Sequence, residues 1–229
     1  MKRTDVIQKI IDKKKARNYL EIGVATGDNF FPIKAKNKTA VDPAFNFAKG
    51  VKNKWILKNL CNFAAKYHET TSEEFFAGES NGKSYDVAFI DGMHTYEQTL
   101  RDVLNTLSRL NDNGVIVIHD CNPKTAAEAH PADSYKHAAS LNLPGWSGGW
   151  SGDVWKTICF LRSQRKDLKI FVLNCDHGLG IVMKGSPDAC LDLSSEQVDR
   201  MSYEDLASDR DGLLNLKDKS YLSEFLKTI

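Results

Sequence analysis

Apolar and polar positions along the 229-residue chain fall into short blocks that predict strands alternating with helices. Val6, Ile7, Ile10 and Ile11 lie three and four apart, on one face of an N-terminal helix within residues 1–17. Apolar runs bounded by turn residues predict seven strands: Asn18–Ile22, Thr39–Val41, Phe63–Thr70, Tyr85–Ile90, Val115–Ile118, Leu168–Asn174 and Gly180–Lys184. A helix is predicted after Gly27, with Phe30, Phe31 and Ile33 on its apolar side and Pro32 in its first turn. Residues 43–60 read as irregular and then helical. Ser72 is placed as a helix N-cap, with Glu73 and Glu74 behind it. A longer helix runs from about Thr95 to Leu110, with Leu100, Val103, Leu104 and Leu107 on one face. Asn111–Gly114 reads as a turn, and Gly152 opens another helix through about Arg165. The tail, residues 188–229, reads as two or three short helices capped by Ser194, Ser202 and Ser220.

This alternation predicts one doubly wound, Rossmann-like α/β domain spanning residues 1–229. Four consecutive apolar residues at Val115–Ile118 suit a central parallel strand. Charge is nearly balanced, 31 basic against 30 acidic residues, so no global field favours nucleic acid or a membrane. There is no apolar run of bilayer length, and the N-terminus lacks a signal-peptide core. Five scattered cysteines without a C-x-x-C pair suit reduced thiols in a cytoplasmic protein and argue against zinc. Residues 124–151, rich in Ala, His, Gly, Pro and Trp, are a candidate lid; Trp146, Trp150, His130 and His137 are its candidate contacts.

The candidate chemistry gathers at the strand ends, where open α/β sheets bind their ligands. Glu21 and Gly23 close the first strand, Asp42 the second, and Thr71 and Ser72 the third. Asp91 and His94 close the fourth, and His119 and Asp120 the fifth. Gly23 allows a sharp turn and a close approach to a ligand. Asp42 can accept hydrogen bonds from both hydroxyls of a ribose. Only Gly23 and Gly27 are present where a dinucleotide fold wants three glycines, which disfavours an NAD-dependent oxidoreductase.

The pattern Glu21-x-Gly23-x-x-x-Gly27 resembles motif I of the class I S-adenosylmethionine-dependent methyltransferases. That resemblance implies that Glu21 organises the turn facing the methionine moiety, with Gly23 and Gly27 shaping it, and that Asp42 holds the ribose. It also implies an antiparallel last strand, paired as a tight hairpin at Cys175–Leu179. The family's acid for the adenine amino group is replaced here by Thr71 and Ser72, with Glu73 and backbone groups as further candidates. The segment IDGMHTYE, the pair His119-Asp120 and the segment GDVWK together resemble the metal-dependent sugar O-methyltransferases. By that resemblance Asp91 and Asp120 are metal ligands and His94 is the base; Asp91 also faces the cofactor. The chain departs from the family at His119, where the family has an acid. A mixed Asp91, His119, Asp120 set would suit Mn²⁺, Fe²⁺ or Zn²⁺ better than Mg²⁺.

Each of these residues also has a local reading. Asp91-Gly92 can shape a turn, His94 can cap the next helix, His119 can hydrogen-bond its neighbours, and Asp153 can cap its own helix. The expected function is S-adenosylmethionine-dependent O-methylation of a small-molecule or sugar acceptor, aided by Mg²⁺ or Mn²⁺. The alternative is a non-catalytic nucleotide- or S-adenosylmethionine-binding module of the same fold.

Overall fold

Helix α1 (Arg3–Lys14) buries Val6, Ile7, Ile10 and Ile11 against the sheet and leads into β1 (Asn18–Ile22). Then come β2 (Asn37–Asp42), α2 (Lys49–Lys58), β3 (Lys66–Glu69), the single turn α3 (Ser72–Glu74), β4 (Tyr85–Ile90) and α4 (Tyr96–Ser108). Next are β5 (Leu110–Ile118), α5 (Tyr135–Ser140), α6 (Trp155–Gln164), β6 (Leu168–Asn174) and β7 (Leu179–Lys184). The tail holds α7 (Ser195–Arg200), α8 (Tyr203–Ser208), α9 (Arg210–Leu214), β8 (Leu216–Asp218) and α10 (Tyr221–Thr228). These elements belong to a computed structural model that describes residues 1–79 and 82–229.

The strands form one sheet in the order β3-β2-β1-β4-β5-β7-β6-β8, with β7 antiparallel to both neighbours. Side chains of a strand alternate between faces. Leu20, Ile22, Ala88, Ile90, Ile116 and Ile118 therefore pack with α4 and α6, while Tyr19, Val87, Phe89, Val115 and Val117 pack with α1 and α10. Because β2 and β5 lie on opposite sides of the β1–β4 pair, the strand order reverses there and opens a crevice at the carboxyl ends. Hydrogen bonds continue one residue past the ladders: Gly23 N–H to the Val41 carbonyl, Asp91 to Ile22, and His119 to Ile90. Those bonds set Gly23, Asp91 and His119 side by side.

Several expectations are corrected. The sheet has eight strands among the described residues, not seven; β8 pairs in parallel with β6 through Val172–Leu216, Leu173–Lys217 and Asn174–Asp218. The third strand is only Lys66–Glu69, and Phe63 is 79% exposed. Asn111–Gly114 lies within β5 at a register shift, and Thr71 rather than Ser72 caps α3 by accepting from the Glu74 N–H. Ser194 caps its helix by accepting from the Gln197 N–H, Ser202 stands at its cap position by donating its N–H to Asp205, and Ser220 makes no side-chain cap bond. Asp153 caps α4, not its own helix: its Oδ1 accepts from the Tyr96 N–H at 2.7 Å.

No helix follows Gly27; residues 27–33 are a series of turns. Their carbonyls are satisfied by side chains instead of by a helical ladder. Lys38 Nζ donates to the carbonyls of Phe30 and Ile33 and to Asn62 Oδ1. Asn59 and Asn62 donate to Phe31, Pro32 and Ile33. Burial lowers the Lys38 pKa to about 7, against the charges of Glu21 and Cys61, while three acceptors match the three protons of an ammonium. Replacing Lys38 with Met should therefore destabilise the protein by about 3 kcal/mol, since the Phe30 carbonyl and Asn62 Oδ1 lose their donor while Ile33 keeps Asn59. Urea denaturation checks this: a lower midpoint at unchanged slope is expected, and an unchanged midpoint would show the turns to be satisfied otherwise.

Candidate functional site

Two adjoining hollows of about 590 and 610 Å³ open at the carboxyl ends of the strands, and Gly23, Ala25, Asp91 and Gly92 line both. Gly23 has φ +82°, and a Cβ there would stand 2.0 Å from the Asp91 carbonyl oxygen. Only glycine lets β1 end this close to β4.

On the first strand Glu21 is fully buried, and its Oε2 accepts from the Tyr19 hydroxyl at 2.5 Å and from Asn29 Nδ2 at 2.8 Å. Asn29 Oδ1 in turn accepts from Thr4 Oγ1 of α1 at 2.8 Å, so Glu21 fastens the glycine turn to the N-terminal helix. Burial raises the Glu21 pKa to about 7 against the pull of those donors. Gly27 (φ +80°) lines neither hollow; it shapes the turn, where a Cβ would meet the Phe31 ring at 2.2 Å.

The second hollow is walled by Asp42, Thr71, Ser72 and, unforeseen from sequence, Gln98 and Asp102. Asp42 accepts the Ala25 N–H on Oδ2 and the Ala44 N–H on Oδ1, each at 2.8 Å. Each carboxylate oxygen keeps a further lone pair. Asp102 Oδ1 accepts from Ser72 Oγ at 2.5 Å and from Gln98 Nε2 at 3.0 Å. Burial raises its pKa to about 6, opposed by those two donors. A signal for Asp102 exists in the sequence: it is a polar residue on the buried stripe of α4 beside Val103, four residues after Gln98.

The first hollow holds Asp91, His94, His119 and Asp120 together. His94 Nε2 lies 3.4 Å from both Asp91 Oδ1 and Asp120 Oδ2. Its Nδ1 donates to the Trp150 carbonyl at 2.9 Å, so the proton of the neutral ring sits on Nδ1 and the Nε2 lone pair faces two carboxylates. Only a cation at Nε2 relieves that opposition. A proton is one answer: burial lowers the His94 pKa, but Asp91, Asp120 and the Trp150 carbonyl outweigh it and raise the pKa to about 9. A metal ion is the other, since one ligand atom from each of Asp91, His94 and Asp120 lies within 4.8 Å of the others.

His119 approaches the same oxygens from its own ring. Nδ1 donates to Asp120 Oδ2 at 2.8 Å and to Asp91 Oδ1 at 3.1 Å, while Nε2 accepts from the Arg3 guanidinium at 2.9 Å. Both ring nitrogens are thus engaged within the protein. Burial lowers the His119 pKa, and the charge of Asp91 with the bonds to Asp120 and Asp176 raises it to about 12. Arg3 can only donate, so its contact works against a second ring proton. The two histidines hold the Asp91 pKa well below the usual range despite burial. Asp120 has φ +60°, a conformation that breaks strand alternation and lets both it and His119 line the cavity.

Arg3, Asp176 and Ser151 also belong to this network and carry no motif signal. Trp150 lines the first hollow, whereas Trp146 packs at a tilt against Tyr135 and His137 pairs with Asp133. Residues 124–151 are stapled by Trp150 Nε1 to the His130 carbonyl and by Tyr135 Oη to the Gly148 carbonyl.

Residues 20–121 match the family described as "Methyltransferase domain". No curated protein matches the chain. Among solved structures the fold is similar to a putative O-methyltransferase from Klebsiella pneumoniae, with TM-score 0.58, 9% identity and 80% of each chain covered. It is also similar to the O-methyltransferase TomG from Streptomyces achromogenes in complex with SAM, with TM-score 0.57, 12% identity and 80% of each chain covered. An O-methyltransferase from Bacillus cereus in complex with SAH gives TM-score 0.55 and 12% identity, covering 80% of this chain and 82% of that one. Residues 20–121 are thus similar to that methyltransferase family, and the Rossmann-like sheet has the fold of these solved structures. No helix among the described residues is long and apolar enough to cross a membrane.

Asp102 offers a test of the second hollow without any ligand. Its folded pKa, near 6, is raised above the unfolded value, so the protein loses stability as pH rises from about 4 through 6. Asn at this position still accepts from Ser72 and Gln98 but carries no charge. Asp102→Asn should gain about 2 kcal/mol relative to wild type between pH 4.5 and 7.5, at roughly 1.4 kcal/mol per unit. Urea curves at both pH values decide it; a pH-independent difference would show Asp102 to be solvated.

Proposed function

We propose that this chain transfers the methyl group of S-adenosylmethionine to a hydroxyl of a polyhydroxylated small molecule, a sugar or a glycoside. The observation that carries this reading is the joined cleft: a nucleoside-sized hollow at Asp42 meets, across Gly23, a cluster of Asp91, His94 and Asp120. Two of the similar structures hold S-adenosylmethionine or S-adenosylhomocysteine, which supports the choice of cofactor.

The residues present fit that cofactor. Asp42 has lone pairs left for two ribose hydroxyls. Ile22, Val41 and Pro43 offer apolar walls to a base, and Ser72, Gln98 and Asp102 offer donors and acceptors at its edge. Glu21, held by Tyr19 and Asn29, fixes the turn at the methionine end. On the acceptor side Trp150 and Tyr135 present aromatic surface beside the carboxylates of Asp28 and Asp133, a pairing suited to a polyol.

When bound, S-adenosylmethionine supplies an electrophilic methyl on sulfur, and a divalent cation held by Asp91, His94 and Asp120 would supply Lewis acidity to the acceptor hydroxyl. The chain's own part is to hold the reactants in line and to keep the Asp91 and Asp120 charges beside the proton that must leave. His94 has one nitrogen for this, Nε2, so it serves as ligand or as base but not as both. The opposition of its lone pair to two carboxylates favours the ligand role. Without a cation His94 would be the base, and its raised pKa would make turnover climb with pH toward about 9.

Asp42→Ala should weaken S-adenosylmethionine binding about 10–100-fold, because two hydrogen bonds to a charged group are lost. Calorimetry reads this, and unchanged affinity would remove Asp42 from the ribose. S-adenosylhomocysteine formation over a panel of glycosides should stop in EDTA and return with Mn²⁺. Turnover that persists in EDTA and rises toward pH 9, but is absent in His94→Ala, would make His94 the base instead.

A further inference from the structure

The four residues Trp150–Asp153 each touch a different part of the Asp91–His94–Asp120 cluster or its frame. The Trp150 carbonyl accepts from His94 Nδ1, and its indole stacks on the imidazole at 4.9 Å and 29°. Ser151 is fully buried and donates its hydroxyl to Asp120 Oδ1 at 2.8 Å. Gly152 (φ +58°) runs so close to the strand-four turn that a Cβ would stand 1.8 Å from the His94 carbonyl oxygen. Asp153 receives the N–H of Tyr96, the first residue of α4, which carries the chain on from His94.

This segment is pinned in turn by Glu128. The N–H groups of Ser151 and Gly152 donate to its carbonyl at 2.9 and 3.0 Å. Its carboxylate accepts from the Lys124 N–H at 2.8 Å and from Ser147 Oγ at 2.9 Å. Both ends of the contact are therefore fixed, and neither ring nor carboxylate can turn alone.

We infer that Trp150 and Ser151 are positioning residues, the outer shell that aims His94 and Asp120 at a divalent cation. The inference rests on the reading of Asp91, His94 and Asp120 as a cation site. A metal-ligating histidine characteristically donates its second ring N–H to a carbonyl or carboxylate, which fixes the tautomer and leaves the other nitrogen for the metal. The Trp150 carbonyl does this for Nε2 of His94. Ser151 does the matching task for the carboxylate: by occupying Oδ1 it leaves Oδ2 of Asp120 turned toward His94, at 3.4 Å. His119 holds the same two oxygens, Asp91 Oδ1 and Asp120 Oδ2, with its Nδ1–H from the other direction. The sequence signature of the shell is Trp-Ser-Gly-Asp, with small residues where the backbone must pass the His94 turn.

The test is a Mn²⁺ titration of the whole chain, reading free ion by electron paramagnetic resonance, with S-adenosylmethionine calorimetry on the same samples. Ser151→Ala is expected to bind Mn²⁺ about 10–100-fold more weakly and S-adenosylmethionine within about twofold of wild type. Trp150→Leu keeps the carbonyl and loses the stacked ring and the Nε1 hydrogen bond to the His130 carbonyl, so it should lose less Mn²⁺ affinity than Ser151→Ala; it also serves if the alanine variant does not fold. Equal Mn²⁺ affinity in both variants and wild type overturns the positioning role. A parallel loss of both ligands does the same, since it marks general damage. A wild type that binds S-adenosylmethionine but no Mn²⁺ overturns the cation reading beneath it.

Discussion

A carboxylate taken out of water must be paired, and that requirement fixes how the ends of this sheet meet. Asp91 ends β4, Asp120 follows β5, and Asp176 lies in the β6–β7 turn, yet all three face one imidazole, that of His119. Arg3 adds a cation from α1, reaching His119, Asp176 and Asp91. The N-terminal helix is thus held by charge at one end and by Val6, Ile7, Ile10 and Ile11 along its face. Removing any one partner would leave another group buried and uncompensated, which costs more than the pair itself contributes. The arrangement of the site and the packing of the first helix are one problem with one solution.

Within that frame, environment divides the acids by role. Asp91, half-buried, and Asp102, buried, are both aspartates at the β4–α4 end of the sheet. Histidines beside Asp91 hold it ionised, while Asp102 has only the neutral donors Ser72 and Gln98, and burial raises its pKa to about 6. The Asp91 charge is therefore favoured, whereas that of Asp102, deep in the second hollow, is disfavoured. A base needs hydrogen bonds and apolar contact, whereas a hydroxyl that must lose its proton needs charge nearby. The crossing of Gly23 and Asp91 separates the two environments with backbone alone, and an added methyl there would have no room.

Much of this was legible in the sequence because parallel strands are continuous apolar runs and their ends are punctuated by polar residues. Strands at Tyr85–Ile90 and Val115–Ile118, and the clustering of Glu21, Asp42, Asp91, His94, His119 and Asp120 at strand ends, follow from that pattern. What stayed hidden depends on contacts between distant residues. The absent helix after Gly27 turns on Lys38, Asn59 and Asn62, whose side chains replace a ladder that periodicity alone predicts. Strand β8 is three residues long and exists only because β6 offers it an edge. Arg3 and Ser151 reach the site across 116 and 31 positions of sequence, and nothing local marks either.

The histidine at position 119 has a consequence of its own. An acid there, as in the family the sequence resembles, would add a further negative charge to a pocket already holding Asp91, Asp120 and Asp176. An imidazole instead donates one N–H to two of those carboxylates and accepts from Arg3. Its nitrogens are then spent on the protein, and the groups left to meet a cation are one nitrogen of His94 and one oxygen each of Asp91 and Asp120. Three protein ligands leave coordination positions open, whereas structural sites close theirs with protein. The same replacement that lowers the charge of the pocket therefore leaves that nitrogen and those two oxygens within 4.8 Å of one another, the geometry on which the proposed cation site rests.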